Sequence, residues 1–349
     1  MTKVFVGMSG GVDSSVAASL LVEQGYDVTG VYMKNWAEDL PGMHCPWAED
    51  VADAKRVAVG LGIDFRVFDF QKEYKQKVVD YMVREYQLGR TPNPDVMCNQ
   101  EVKFKLFLEA SLEQGADFIA TGHYARSPLD SSSLLTAVDS VKDQTYFLYR
   151  VTSAAFSKTL FPLGDYTKTE VRQIAKDRGL WTANKKESMG ICFVGRVGIK
   201  EFLSEYAETE PGNIIDTQSQ KIVGQHEGAI FYTLGQRHGL NVGGGLPYYV
   251  VGKSMDKNEV YVSTKLDEQS LWLKELVLTD IHWINQPPTN GHYQVRTRHR
   301  AKLQSAELSI DGSGARLTLD TPERAVTPGQ SVVIYDGEVV LGGGIVKSD

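Results

Sequence analysis

The feature that most constrains this chain is an eight-residue turn near its start, Gly7-Met8-Ser9-Gly10-Gly11-Val12-Asp13-Ser14. Before it, Val4-Phe5-Val6 reads as a short buried strand. After it, Val16, Ala17, Leu20 and Leu21 recur at helical spacing until Gly25. A strand, a turn of glycine and serine, and a helix together make an anion cradle. Glycines let the backbone approach phosphate oxygens, and the first helical amides face them with the positive end of the helix dipole. Ser9, Ser14 and Ser15 are expected to add hydroxyl donors. A lone acid, Asp13, inside such a cradle implies a bound cation, Mg²⁺. On spacing alone the turn could also be a plain βα connection. It has neither the ending of a Walker A loop nor the Gly-x-Gly-x-x-Gly of dinucleotide folds.

From residue 1 to about 125, apolar runs alternate with helical patterns. Strands are expected at 28–33, 63–70 and 117–121, and helices at 48–61, 71–88 and 101–114. That alternation predicts an α/β, doubly wound parallel sheet with its ligand at the C-terminal strand ends. Residues 128–141 are polar and serine-rich, which predicts a flexible surface connection. A further helix is expected with Thr167 as N-cap, Glu170 completing a capping box and Gly179 at its stop.

Near residue 205 the texture becomes β-type, with runs at 229–234, 248–252 and 259–263. From about 270, turn signals at Asp311-Gly312, Pro328-Gly329 and Asp336-Gly337 predict five or six strands in a small barrel. The expected division is 1–204 as an α/β catalytic domain, 205–269 as a central mostly-β domain and 270–349 as a C-terminal β-barrel. A chain of 349 residues is long enough for two or three cores. No apolar run approaches the length of a membrane span and no signal peptide is evident, so a cytoplasmic protein without membrane contact is expected.

Cysteine supplies the second constraint. Cys98 lies in Thr91-Pro92-Asn93-Pro94-Asp95-Val96-Met97-Cys98-Asn99, expected as an extended loop between helices, with Asp95 three residues before the thiol. Cys192 follows 94 residues later (192 − 98) in a glycine-flanked loop, 187–193. Polar, irregular surroundings suit reactive thiols, although two unrelated packed thiols would give the same spacing. Cys45, beside His44, reads as structural, since one His-Cys pair is not a metal site.

Arg296, Arg298, Arg300 and Lys302 alternate with other residues, which in a strand puts four cations on one face about 6.6–6.8 Å apart. Such a row is either a solvated face or a phosphate-tracking stripe. The net charge of −7 argues against broad nucleic-acid binding and leaves room for a local basic patch.

The Ser9-Gly10-Gly11-Val12-Asp13-Ser14 segment resembles the signature of the PP-loop ATP pyrophosphatases. Four more segments follow in order: Asn93-Pro94-Asp95-Val96-Met97-Cys98-Asn99, Ala120-Thr121-Gly122-His123-Tyr124, Lys142-Asp143-Gln144-Thr145-Tyr146-Phe147-Leu148 and Gly190-Ile191-Cys192-Phe193. With these, and with Arg298-His299-Arg300-Ala301 and Thr327-Pro328-Gly329-Gln330, the chain is similar to the bacterial tRNA 2-thiouridylases from residue 4 to about 345. Met189 departs from the small polar residues common at its position, and no catalytic assignment depends on it.

The resemblance implies an ATP-dependent sulfurtransferase. It would adenylate the C2 oxygen of the anticodon wobble uridine of tRNA and replace it with sulfur from a cysteine persulfide, yielding 2-thiouridine, AMP and pyrophosphate. Gly7 to Ser14, Met33 and Gly122 would then meet ATP. Asp95 would be the acid/base, with Asn93 and Pro94 shaping the pocket of the target base. His123, Lys142, Asp143, Gln144, Arg300, Ala301 and Gln330 would meet the tRNA, at its anticodon stem-loop. Cys192 would carry the persulfide, and Cys98 the thiolate that ends in a transient disulfide with it. No permanent metal is implied beyond Mg²⁺ with ATP near Asp13, and a sulfur-relay protein or cysteine desulfurase would donate the sulfur. His123, Tyr124 and Phe147 are candidates for lining the path of an extruded uridine. Two other readings remain: a PP-loop ligase that uses ammonia, in which both cysteines are dispensable, and a non-catalytic tRNA-binding module that releases no pyrophosphate.

Overall fold

The computed structural model describes residues 1–39, 45–128, 132–186, 198–240, 242–243, 247–265, 271–312 and 314–348. Cys192 and its loop lie outside these. The first strands are β1 (Lys3–Gly7), β2 (Asp27–Lys34), β3 (Asp64–Asp69), β4 (Phe118–Ala120), β5 (Leu134–Leu135) and β6 (Thr159–Leu160). All but β5 form one parallel sheet in the order β3-β2-β1-β4-β6. Val4, Phe5 and Val6 are fully buried because both faces of β1 are covered, as parallel sheets require. The strand order reverses at β1, so the crevice opens between the C-terminal ends of β1 and β4. The Gly7–Ser14 turn and Thr121-Gly122-His123 leave from those two ends.

Helices fall near their expected bounds at Val12–Glu23 and Trp47–Leu61. Expected helix 71–88 is a helical run with a π-helical middle, Lys75–Val79, between Gln71–Tyr74 and Asp80–Gln87. The loop expected around Cys98 is corrected. Helix begins at Pro94–Met97 and continues through a π-helical Cys98–Leu106 into Phe107–Glu113. Thr-Pro-Asn-Pro reads as a breaker, but asparagine is a preferred N-cap and proline is accepted at the first helical position. Asn93 Oδ1 accepts the Val96 N–H at 3.3 Å.

The flexible connection expected at 128–141 is also corrected. Leu134–Leu135 forms β5, which pairs antiparallel with the last strand of the chain, Leu134 opposite Val340. Strands β7 (Gly212–Asp216), β8 (Ile222–His226), β9 (Tyr249–Ser254) and β10 (Glu259–Ser263) make a second sheet, ordered β8-β7-β10-β9. The strand expected at 229–234 contains a 3₁₀ turn, Ala229–Phe231.

Six strands complete the chain: β11 (Trp272–Trp283), β12 (Gly291–Arg296), β13 (Gln304–Asp311), β14 (Gly314–Arg324), β15 (Ser331–Asp336) and β16 (Val339–Val346). They run β11-β14-β13-β12-β15-β16, and β16 pairs back onto β11 to close the barrel. Leu278, Val295, Leu308, Leu317, Val332 and Ile334 lie in its core, with no exposed surface.

The row of cations expected on one strand face does not form. β12 ends at Arg296, the chain turns away, and Arg300 sits at φ 63°. Arg296, its side chain 12% exposed, lies 3.5 Å from buried Asp143 with its guanidinium over the Tyr335 ring. Arg298 lies 3.7 Å from Glu323. The barrel is tied to the first domain by the Tyr146 hydroxyl donating to the Ser331 carbonyl (2.8 Å), and by Arg150, which bridges Gln100 and Asp280. Among the described residues no helix is long and apolar enough to cross a membrane.

Candidate active site

The cradle is shaped by close backbone approach. Gly10 has φ +72°, and a Cβ there would lie 2.4 Å from the Asp50 carbonyl oxygen. At Gly122 a Cβ would stand 2.7 Å from the Ser14 amide nitrogen, so the end of β4 rests on the first turn of the helix Val12–Glu23. Met33, at the end of β2, places its Cε 2.9 Å from where a Gly7 Cβ would be. Met8 and Val12 are buried and serve the core, leaving their backbone for a ligand. N-cap Gly11 provides no side-chain cap, so the first-turn amides keep their capacity to receive an anion.

The serines differ from expectation. Ser14 Oγ accepts the Ser9 N–H and donates to the Gly11 carbonyl, both at 3.2 Å, while Ser15 Oγ donates to the same carbonyl at 2.8 Å. Two of the three hydroxyls therefore brace the turn, and exposed Ser9 stands at its mouth.

Asp13 has a partner that the sequence did not disclose. Lys168 Nζ lies 2.7 and 2.8 Å from its two carboxylate oxygens, and the Tyr124 hydroxyl donates to Oδ1 at 2.9 Å. Lys168 opens the helix Lys168–Asp177, whose Thr167–Glu170 capping box is present as expected. That box locates Lys168 on a helix N-terminus, but nothing local says which surface that terminus faces.

The Pro94 helix start carries the second set of candidate groups. Cys98 and Asn99 are buried, and Asn99 Nδ2 donates to the Phe147 carbonyl at 3.0 Å. Burial pushes the Asp95 carboxyl above the ordinary aspartate range, with Lys103 opposing the shift. His123 is buried, its Nδ1 2.8 Å from Thr121 Oγ1 and its ring 5.6 Å from that of Phe104. Burial, then Lys103, hold its pKa well below 6.5, so the imidazole is neutral.

The Lys142–Gln144 segment divides by exposure. Lys142 is half-exposed, whereas Asp143 is buried and accepts from Thr145 Oγ1 (2.6 Å) and the Ala137 N–H (2.8 Å). Burial raises the Asp143 pKa against those bonds and Arg296. Gln144 Oε1 accepts the Tyr124 N–H at 3.0 Å.

Two barrel turns reach this region. The Thr91 N–H donates to the Pro328 carbonyl at 2.8 Å, and a Cβ at Gly329 would lie 2.9 Å from the Thr91 nitrogen, so the Pro328-Gly329 turn packs on the segment just before Asn93. His299 lies against Phe147 with centroids 4.4 Å apart, setting Arg300 and Ala301 beside the Lys142–Phe147 segment. A chain of contacts links these segments: Tyr124 reaches Asp13 of the cradle and is held by Gln144, the Phe147 carbonyl accepts from Asn99 while its ring packs on His299, and Gly329 packs on Thr91. Cys192 lies outside the described residues. Just before its loop, Lys185 Nζ binds Asp50 Oδ1 (2.8 Å) and Asp53 Oδ2 (2.7 Å), a clamp that the sequence did not reveal.

Residues 2–196 match a family model described as a tRNA methyl transferase HUP domain, 200–264 its PRC-barrel domain, and 273–346 an aminomethyltransferase β-barrel domain. The tRNA-specific 2-thiouridylase MnmA of Enterococcus faecalis is 46% identical over 99% of this chain and 95% of its own length. The protein of that name from Methylobacillus flagellatus is 47% identical over 99% of each. Likeness to solved structures is weak: a 4-thiouridine synthetase–RNA complex with bound ATP aligns at TM-score 0.35 and 17% identity, over 58% of this chain and 50% of the other.

Proposed function

The chain belongs to the tRNA-specific 2-thiouridylase family, and from that premise we propose that it converts a tRNA anticodon uridine to 2-thiouridine through an adenylated intermediate and a cysteine persulfide. The observation that carries this reading is the Gly7–Ser14 cradle at the C-terminal end of β1, with Gly122 from the end of β4 resting on it, in a domain that also carries the Asp95 and Cys98 segment. Although the matching family models are described by methyl transfer, the full-length relatives are thiouridylases and the cradle suits nucleotide phosphates.

ATP would lay its phosphates on the first-turn amides and its adenosine near Met33 and Gly122; Mg²⁺ would arrive with the nucleotide and offset its charge, since Asp13, the acid expected to meet it, is held by Lys168. The C2 oxygen of uracil attacks the α-phosphorus, and pyrophosphate leaves. AMP then becomes the leaving group that the bare oxygen could not be. The terminal sulfur of a Cys192 persulfide attacks C2, and the C–O bond breaks with its electron pair going to AMP. The Cys98 thiolate next attacks Cys192 Sγ. The S–S bond of the persulfide breaks, its electrons stay with the thiouridine sulfur, and a Cys98–Cys192 disulfide remains for an external dithiol to reduce. Asp95, half-buried with a raised pKa, is suited to exchanging a proton near the base. The sulfur donor is a persulfide-bearing protein, a relay protein or a cysteine desulfurase.

A single turnover tests this. The protein is incubated with ATP, Mg²⁺, a persulfide source and unmodified tRNA, without reductant. Nucleoside analysis should show 2-thiouridine, and peptide mapping a Cys98–Cys192 disulfide in matching yield. Full thiolation with both cysteines still reduced would remove the persulfide mechanism, and no pyrophosphate release with tRNA present would remove the adenylation step.

A further inference from the structure

Outside the crevice, a cavity of about 360 Å³ lies on the seam between the central sheet and the barrel. Its walls include Leu234 and Gly235 from the central domain and Trp272, Arg298, Glu323 and Arg324 from the barrel. We propose that this cavity takes a single unstacked nucleotide of the tRNA, one distinct from the target uridine, with its base on the Trp272 indole and its phosphate between Arg298 and Arg324. The proposal rests on the reading that tRNA is the substrate.

Four observations carry it. Trp272 is 43% exposed at the start of β11, an unusual place for so large an apolar ring. Arg324 is its direct partner across β14, and opposite residues of an antiparallel pair share a face, so a guanidinium stands beside the indole. Arg298, in the cavity wall, comes from the turn that also carries Arg300 and Ala301, the residues read above as meeting the tRNA. The volume is at the lower end of the range for small-ligand sites, too small for a docked protein helix and suited to one base with its phosphate.

The cations are not committed to strong partners. Arg298 meets Glu323 at 3.7 Å with its side chain 55% exposed, and Arg324 lies over the Tyr249 ring at 5.5 Å. Glu323 is held by Gln304 Nε2 at 2.8 Å, so its carboxylate remains an acceptor that favours a base edge bearing N–H donors. The walls are built rigidly. Ala325 adopts φ 55°, and a Cβ on Gly235 would stand 2.7 Å from the Ala325 methyl, so the two domains touch at the cavity's edge. Base–aromatic stacking beside basic side chains is the common means of holding single-stranded RNA without reading its full sequence.

The test measures Kd for full-length unmodified tRNA with wild-type protein, Trp272→Ala, Trp272→Phe and Arg324→Gln. Trp272→Ala should weaken binding about tenfold, Trp272→Phe should restore most of it, and Arg324→Gln should lower the slope of log K against log salt by about 0.7–0.9. Scanning the tRNA with single abasic positions should identify one site, away from the anticodon wobble position, whose loss weakens wild type about tenfold and Trp272→Ala no further. Unchanged affinity in Trp272→Ala, or additive losses at every abasic position, would overturn the proposal. So would thiolation lost only when sulfur comes from a donor protein while tRNA affinity holds, because the cavity would then be a protein site. Wild-type pyrophosphate release with tRNA, measured alongside, separates these failures from a failure of the thiouridylase reading itself.

Discussion

Lys168→Met should weaken the protein and disarm its phosphate cradle, by an amount that the geometry bounds. The ammonium touches both oxygens of Asp13 at 2.7–2.8 Å. At an effective dielectric of ~20 that separation corresponds to about 6 kcal/mol of gross attraction. Desolvation cancels most of it: exposed pairs retain about 0–1 kcal/mol, and breaking buried ones costs about 3–5 kcal/mol. Side-chain exposures of 12% for Lys168 and 32% for Asp13 put this pair between those limits, so a coupling of about 1–2 kcal/mol is expected.

The two single variants should differ. After Lys168→Met, Asp13 still sits in the first turn of its helix, where the dipole favours an anion. After Asp13→Asn, the Tyr124 hydroxyl keeps an acceptor, but Lys168 is left as a cation on a helix N-terminus, where the dipole opposes it. Asp13→Asn should therefore be the more destabilising. Urea unfolding of wild type, both singles and the double variant gives the coupling directly. Both singles should also slow tRNA-dependent pyrophosphate release. A coupling under about 0.5 kcal/mol, within the scatter of independent sites, would refute the ion-pair argument.

Asp95→Asn should abolish thiolation yet raise stability at neutral pH, as measured by denaturant midpoint. The folded state holds the Asp95 proton to higher pH than the unfolded chain, so the wild type loses stability as pH rises from the unfolded pKa through the raised folded one. Flat stability across that window, or a less stable Asn variant, would contradict the desolvation argument. Arg296→Ala should cost about 2–3 kcal/mol by stranding buried Asp143, with part of the loss recovered in Arg296→Met/Asp143→Asn. A loss under about 0.5 kcal/mol would return Arg296 to the class of surface cations.

What was legible in the sequence is what short-range pattern encodes. Val4–Val6, the glycine turn and the helical spacing after it declare a βα unit without help from the rest of the chain. Regular turn signals after 270 declare the barrel. The cradle, the Cys98 segment and their likeness to a family could all be read. Asn93-Pro94 misled because the same residues that break one helix can cap and start another. Arg296 reads as one of a row of exposed cations, solvated or phosphate-tracking, because alternation shows which residues share a face, not whether that face meets a second domain. The Asp13–Lys168 contact spans 155 residues and leaves no periodic trace. Leu134–Leu135 is too short to register as a strand, and only its partner makes it one.

That last pairing bears on how the chain comes off the ribosome. Leu134 meets Val340, and at about 5–20 residues per second the 206 residues from 135 to 340 (340 − 134) take about 10–40 s to make. Throughout that interval Leu134, fully buried in the finished molecule, has no strand to lie against. The nascent first domain therefore carries an uncovered leucine until β16 has been made. Any pause in translation before β16 lengthens the time in which that apolar side chain is open to chaperones, proteases or another nascent chain.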